Sequence, residues 1–314
     1  MQRLYIFLVT ILFAGCVSAP TSQRAESETA QIDVLNEPPT EPVSVNTDPN
    51  NPYLNCLSPA LQMNVERAAH TATLLSDGRV LIAGGFRQEG TSEIAISSAE
   101  IFDPETNTFT PTRDLNAPRD GHTATLLPNG QVLIAGGWDQ SGRTSTAELY
   151  DPQTGTFEYT GSMMAPRQGL SATLLKDGQV LIAGGDSARN TPQLTAELYD
   201  PTTKTFTSTG NLNNGRMAHT STLLNDGMVL MIGGTSGDGT ILASAEIYDP
   251  GTGKFTLTSN PNMIRYKHSA VLLEDGNVLV LGGSNQNDWS GKYNSAEIYD
   301  FKTGTFIRIP DMNG

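Results

Sequence analysis

The chain has 314 residues, a formal charge of −14, 31 glycines and 18 prolines. That is enough for one repeat domain with a large buried area. So acidic a surface argues against nucleic acid, and against charge-driven binding to anionic lipid.

In chain order, Leu4–Ala14 is an apolar run of 11 residues behind Arg3. It is too short to span a bilayer and suits the core of a signal peptide over 1–15. Phe13-Ala14-Gly15-Cys16 resembles a bacterial lipobox, with Phe13 where Leu is usual. The resemblance implies cleavage before Cys16 and its lipidation. An ordinary secretory signal or an uncleaved anchor stay open. Val17 after the cysteine implies, by the same resemblance, the outer membrane or cell surface.

Residues 16–56 read as the lipidation site and a flexible linker. Between Val17 and Pro52 there are six acids against Arg24 and almost no periodicity, too little apolar material to order a segment. Cys56 has no partner in the chain if Cys16 is lipidated; packing at the start of the domain is the simpler role.

From 57 to 314 the chain repeats. HTATLLSDGRVLIAGG at His70 returns from His122, Leu170, His219 and His268, with a period of 52, 48, 49 and 49 residues. Repeats run about 63–111, 112–160, 161–209, 210–259 and 260–310. A second signature keeps step: SAEIFDP at Ser98, TAELYDP at Thr146 and Thr195, SAEIYDP at Ser244 and SAEIYDF at Ser295. In the first copy, Ala69–Leu75 reads as a Thr-rich strand and Asp77-Gly78 as a hairpin turn. Val80–Ala83 is a strand buried on both faces, stopped by Gly84-Gly85. Glu100–Phe102 is a third strand ended by Asp103-Pro104, and Thr108–Thr110 a fourth anchored by Phe109. Four antiparallel strands in ~49 residues is the size of one propeller blade.

The Gly-Gly doublet, the Tyr-Asp-Pro and the following aromatic resemble kelch repeats. The wording HTATLLxDGxVLIAGG resembles bacterial kelch proteins and the propeller of galactose-oxidase-like proteins. Here Phe stands in all five copies where kelch repeats have Trp, and Phe301 replaces Pro in the last. The resemblance implies an all-β propeller of five four-stranded antiparallel blades, closed by packing the last on the first.

Strand direction puts the variable segments after the Gly doublets on one face with the inter-blade links. They hold 13, 9, 10, 10 and 12 residues, and loops on a rigid scaffold are where binding residues gather. Phe86, Trp138, Trp289 and Tyr293 lie there, as anchors for a ligand or as packing over blade ends. Arg67, Arg119, Arg167, Arg216 and Arg265 recur before each innermost strand. They form either a cationic ring for carboxylate or phosphate, as the resemblance to mammalian kelch domains implies, or partners for Glu100, Glu148, Glu197, Glu246 and Glu297. The four histidines read as packing, since Leu170 takes the place of one.

Phosphate loops, a Ser/His/Asp set and metal-spaced Cys/His are lacking. Galactose-oxidase-like chemistry needs copper and a Tyr–Cys cross-link, and Cys56 lies ahead of the blades, so neither cofactor nor metal is expected. The reading is a lipid-anchored envelope scaffold for a protein or carbohydrate ligand, with a secreted form as the alternative to anchoring. An enzyme resembling sialic-acid mutarotase-type kelch propellers is the alternative function. Catalytic residues would then break the period, and few inward positions do.

Overall fold

The computed structural model describes residues 62–188, 191–285 and 293–312. The signal, Cys16, the linker with Cys56, and Trp289 lie outside these. Among the described residues there is no helix, and none is long and apolar enough to cross a membrane.

Five four-stranded antiparallel sheets follow one another, each a simple meander. Blade 1 is Thr71–Leu74, Val80–Ala83, Ala99–Asp103 and Thr108–Pro111. Blade 2 is Thr123–Leu126, Val132–Ala135, Ala147–Asp151 and Thr156–Tyr159. Blade 3 is Gln168–Leu174, Val180–Asp186, Thr195–Asp200 and Thr205–Asn211. Blade 4 is Thr220–Leu223, Val229–Ile232, Ala245–Asp249 and Lys254–Leu257. Blade 5 is Ser269–Leu272, Val278–Leu281, Ala296–Asp300 and Thr305–Ile309.

The repeated words do the work assigned to them. Gly78, at φ 88°, closes the first hairpin with its N–H on Leu75 O at 3.1 Å. All of Val132–Ala135 is buried, as a strand covered on both faces must be. The Gly doublet is where the next blade's link approaches. At Gly136, φ 68°, a Cβ would lie 2.6 Å from Arg167 O, so only glycine fits.

Successive blades interlock through apolar residues. Leu81, Ala83 and Ile101 of blade 1 meet Val132, Ile134, Tyr150 and Phe157 of blade 2. The same places pair blade 2 with 3, 3 with 4, and 4 with 5. Each of these junctions also carries a hydroxyl pair, Thr112–Tyr150 at 3.1 Å, Thr160–Tyr199 at 2.7 Å, Thr209–Tyr248 at 2.8 Å and Thr258–Tyr299 at 3.3 Å. On the inner edge a backbone relay runs Gly121 N to Ala69 O, Gly169 N to Gly121 O, Ala218 N to Gly169 O and Lys267 N to Ala218 O.

Among the described residues no buried apolar cluster joins blade 5 to blade 1. Leu74 of blade 1 is 63% exposed, whereas Leu126, Leu174, Leu223 and Leu272 at the same place are half-buried.

Candidate functional site

The five arginines answer the first question about the inner rim. Arg119, Arg167, Arg216 and Arg265 are 0% exposed, and the Arg67 side chain is equally covered. Each pairs with the glutamate of its own repeat, at 2.8, 2.7, 2.9, 2.6 and 2.8 Å along the chain. Arg216 also donates to Gly233 O, Ser244 O and Ser244 Oγ, while Glu246 accepts from Asn213 N, Asn213 Nδ2 and Asn214 N. Burial alone would raise the Glu246 carboxyl, yet the Arg216 charge and the Asn213 donors bring it below the ordinary carboxylate value. The guanidiniums are buried with their terminal nitrogens engaged inside the repeat, and the unpartnered Nε atoms of Arg119, Arg216 and Arg265 are buried too, so the arginines act as structural partners of the glutamates rather than as an open cationic ring. The repeated Arg–Glu pair ties each inter-blade link to its blade.

The aromatic positions divide. Phe86 is buried and packs. Tyr293 is half-buried, and Arg265 lies over its ring at 5.5 Å, so it caps an ion pair. Trp138 is half-buried at the rim.

Around Trp138 the structure gathers residues that break the period. The residue after each Gly doublet bridges to the residue after each arginine: Phe86 to Ala68, Trp138 to Asp120, Gln168 to Asp186, Thr235 to Met217, Ser284 to Tyr266. These two columns differ in every copy, unlike the frame around them. In blades 1 and 2 the variable segments fold into small hairpins, Phe86–Glu89 with Ser92–Ala95 and Trp138–Asp139 with Gly142–Arg143. The second hairpin lays Arg143 over Trp138 at 4.9 Å and directs its guanidinium to both oxygens of Asp186, at 2.8 and 2.6 Å. Asp186 is 3% exposed although it sits next to solvent-reaching loops. Gln168 Nε2 donates to Asp120 Oδ1 at 3.1 Å. Burial pushes the Asp120 carboxyl up to about 7; the Gln168 hydrogen bond works against this and the Glu93 charge adds to it.

A Trp face, a bidentate Arg–Asp pair and a carboxyl pushed up by burial thus share the rim of blades 1 to 3. The repeat-first reading passed over Asp120, Arg143, Gln168 and Asp186. Setting the five copies in register shows the columns of Asp120, Gln168 and Asp186 without a consensus, while Arg143 lies in a segment whose length varies from copy to copy.

A cavity of about 650 Å³ lies on the opposite face, between Asp77, Arg79, Asn129, Gln131, Asp151 and Gln153. Its walls are hairpin turns. Asp77 is held by Arg79 at 2.7 Å, and Asn129 by its own turn through Gln131 N at 3.1 Å. The histidines are structural: His122, His219 and His268 are buried, with Nε2 2.9 Å from Thr71, Ser171 and Thr220 hydroxyls of the preceding blade. Among the described residues no group of three His, Cys, Asp or Glu is placed to hold a metal.

A family profile described as KLHDC2/KLHL20/DRC7 Kelch-repeats domain matches residues 47–234, and the Kelch motif matches 216–262 and 266–313. The chain belongs to the kelch-repeat family. No curated protein matches it. Among solved structures, this kelch chain is similar to a fungal alcohol oxidase of the AA5 family in complex with copper. The TM-score there is 0.62 and the identity 20%, over 79% of this chain and 54% of the oxidase. It is also similar to YjhT, at a TM-score of 0.66 and 13% identity, over 78% of this chain and 84% of that one. The kelch chain thus spans about half the length of the oxidase. At such identities the likeness is one of fold, the β-propeller. Both kelch signatures, the Gly doublet and the Tyr-Asp-Pro turn, serve in this chain as frame, and the rim between them is its own.

Proposed function

We propose that this kelch propeller is a binding scaffold of the bacterial cell envelope, held by a lipid on Cys16, that takes a protein or glycan ligand on the variable-loop rim of blades 1 to 3. The observation that carries the reading is the convergence of Trp138, Arg143, Asp186, Gln168 and Asp120, residues the repeat does not require. A Trp face suits a sugar ring or a side chain of a partner, and the amide and carboxyl beside it supply orienting hydrogen bonds. The hairpin-face cavity is built from turn residues with architectural tasks and favours no ligand.

A glycan array and an envelope pull-down with the full chain identify the ligand. Trp138→Ala should then weaken binding by at least tenfold, about 1.4 kcal/mol or more, since one buried aromatic anchor often dominates an interface. Melting should move little. Retained affinity in this variant, with loss on Asn129→Ala, would put the site on the other face.

The lipid anchor has its own measurement. Cys16→Ser should move the protein from the membrane to the soluble fraction, because acyl chains supply the attachment. A variant that stays with membranes, and a wild type that takes up no labelled fatty acid, would sink the anchor.

A second reading rests on Asp120. A carboxyl near half-protonation at neutral pH can give or take a proton at a sugar hydroxyl or ring oxygen, as an enzyme resembling sialic-acid mutarotases would need. Faster interconversion of sialic-acid anomers with wild type than with Asp120→Asn would favour it.

A further inference from the structure

The chain contains three Asn-Gly steps, Asn129-Gly130, Asn214-Gly215 and Asn313-Gly314, the last outside the described residues. Before a glycine the backbone nitrogen that follows an asparagine is least shielded, because glycine has no Cβ and bends freely. The structure sets the first two steps apart.

Asn129 stands exposed at the tip of the first hairpin of blade 2. A Cβ on Gly130 would meet nothing within 4 Å, so the tip can distort without pushing on a neighbour. The Asn129 side chain folds back on its own turn. Its Oδ1 accepts from Gln131 N at 3.1 Å, and its Nδ2 donates to Gln131 Oε1 at 3.0 Å. This turn-forming bond holds the amide carbon beside the Gly130 peptide. It also aims an N–H at the oxygen that takes up charge if that carbon is attacked. The Gly130 nitrogen donates to Leu127 O at 2.9 Å, and that bond must open first.

Asn214 is clamped instead. Its backbone N donates to Glu246 Oε1 at 3.1 Å and its Nδ2 to Ser244 Oγ at 3.4 Å. A Cβ on Gly215 would lie 2.7 Å from Pro192 O, and the next residue is the fully buried Arg216.

The other four hairpins hold Asp77, Asp177, Asp226 and Asp275 in the place of Asn129. Each accepts from the backbone N–H two residues on, at 3.1, 3.0, 2.9 and 3.0 Å. An aspartate at 129 would enter a turn already built for it.

We propose that the fold makes Asn129, and not Asn214, a site of spontaneous deamidation. The Gly130 nitrogen gives its proton to hydroxide and attacks Asn129 Cγ. A new N–Cγ bond forms, and the negative charge rests on Oδ1, facing the Gln131 N–H. The carbonyl re-forms as the Cγ–Nδ2 bond breaks, and Nδ2 takes a proton from water and leaves as ammonia. The product is a five-membered imide. Water opens it at Cγ to give aspartate, or at the Asn129 carbonyl carbon to give isoaspartate, in which the chain runs through Cγ. Nothing is oxidised or reduced. Aspartate adds one negative charge to the −14 of the chain and keeps the turn. Isoaspartate lengthens the backbone between Leu127 and Gln131, whose N and O now bond at 2.8 Å, and loosens the hairpin.

The test is a peptide map by mass spectrometry of the full folded chain after weeks in mildly alkaline buffer, beside a sample kept in urea. The folded chain should gain aspartate and isoaspartate at 129 about tenfold faster than at 214, since an exposed tip opens more readily than a packed link. In urea the two sites should react at similar rates. Conversion at 129 only in urea, equal conversion at both sites in the folded chain, or a difference that persists in urea overturns the proposal. Asn129→Asp should melt as wild type does, and a clear drop would overturn the claim that the turn accepts the product. The map decides the site whatever that variant does.

Discussion

Arg216→Ala should cost about 3–5 kcal/mol, the effect of leaving a buried carboxylate without its counter-charge. Glu246 is 0% exposed and would keep only the donors of Asn213 and Asn214. Gly233 O and Ser244 O would lose their guanidinium donor as well. The damage reaches the neighbouring blade, since Arg216 O accepts from Gly185 N and anchors the link between blades 3 and 4. At ~2–4 °C per kcal/mol for a domain of this size, melting should fall by roughly ten degrees. Arg216→Met with Glu246→Leu removes both charges and should recover part of that loss, because burying an ion pair carries its own desolvation cost. An Arg216→Ala variant melting within a degree of wild type would return the arginines to the ligand-binding role that the buried pairs deny them.

The frame of this molecule was legible because each repeated word has one physical task. Asp-Gly turns the hairpin, the Gly doublet admits the next link, and Asp-Pro ends the third strand. Repetition also pointed to the arginines as structural, since a part present in every blade is needed by every blade. The rim was not legible in the same way. Asp120 and Asp186 look like ordinary acids in the sequence, and only the fold brings Gln168 to the first and Arg143 to the second.

Acid should unfold this protein through its histidines well before its carboxylates are spent. Burial, and after it the charge of the neighbouring arginines, holds His122 and His268 down to about 3 and His219 well below its ordinary value. His70 is displaced the same way, by burial first. In the fold these rings stay neutral, while in the unfolded chain they take a proton near pH 6.5. The stability they confer is therefore present above 6.5 and lost as pH falls from there toward 3, at about 1.4 kcal/mol per unit for each ring. Asp120 acts in the opposite sense. Its raised value, about 7, makes its contribution fall as pH rises from the ordinary carboxylate value to 7. Between pH 6.5 and 5 His122, His219 and His268 oppose one aspartate, with His70 acting in the same direction as the other rings, so melting should drop steeply on acidification. The chain supplies its own control: Leu170 fills the histidine place in blade 3 and is buried there. His122→Leu, His219→Leu and His268→Leu together should flatten the profile in that window, with Asp120 then opposed by His70 alone. Melting temperatures of wild type and the triple variant at pH 7, 6 and 5 decide the matter. An equal drop in both would mean that the acid sensitivity sits elsewhere, with the buried glutamates the next groups to test.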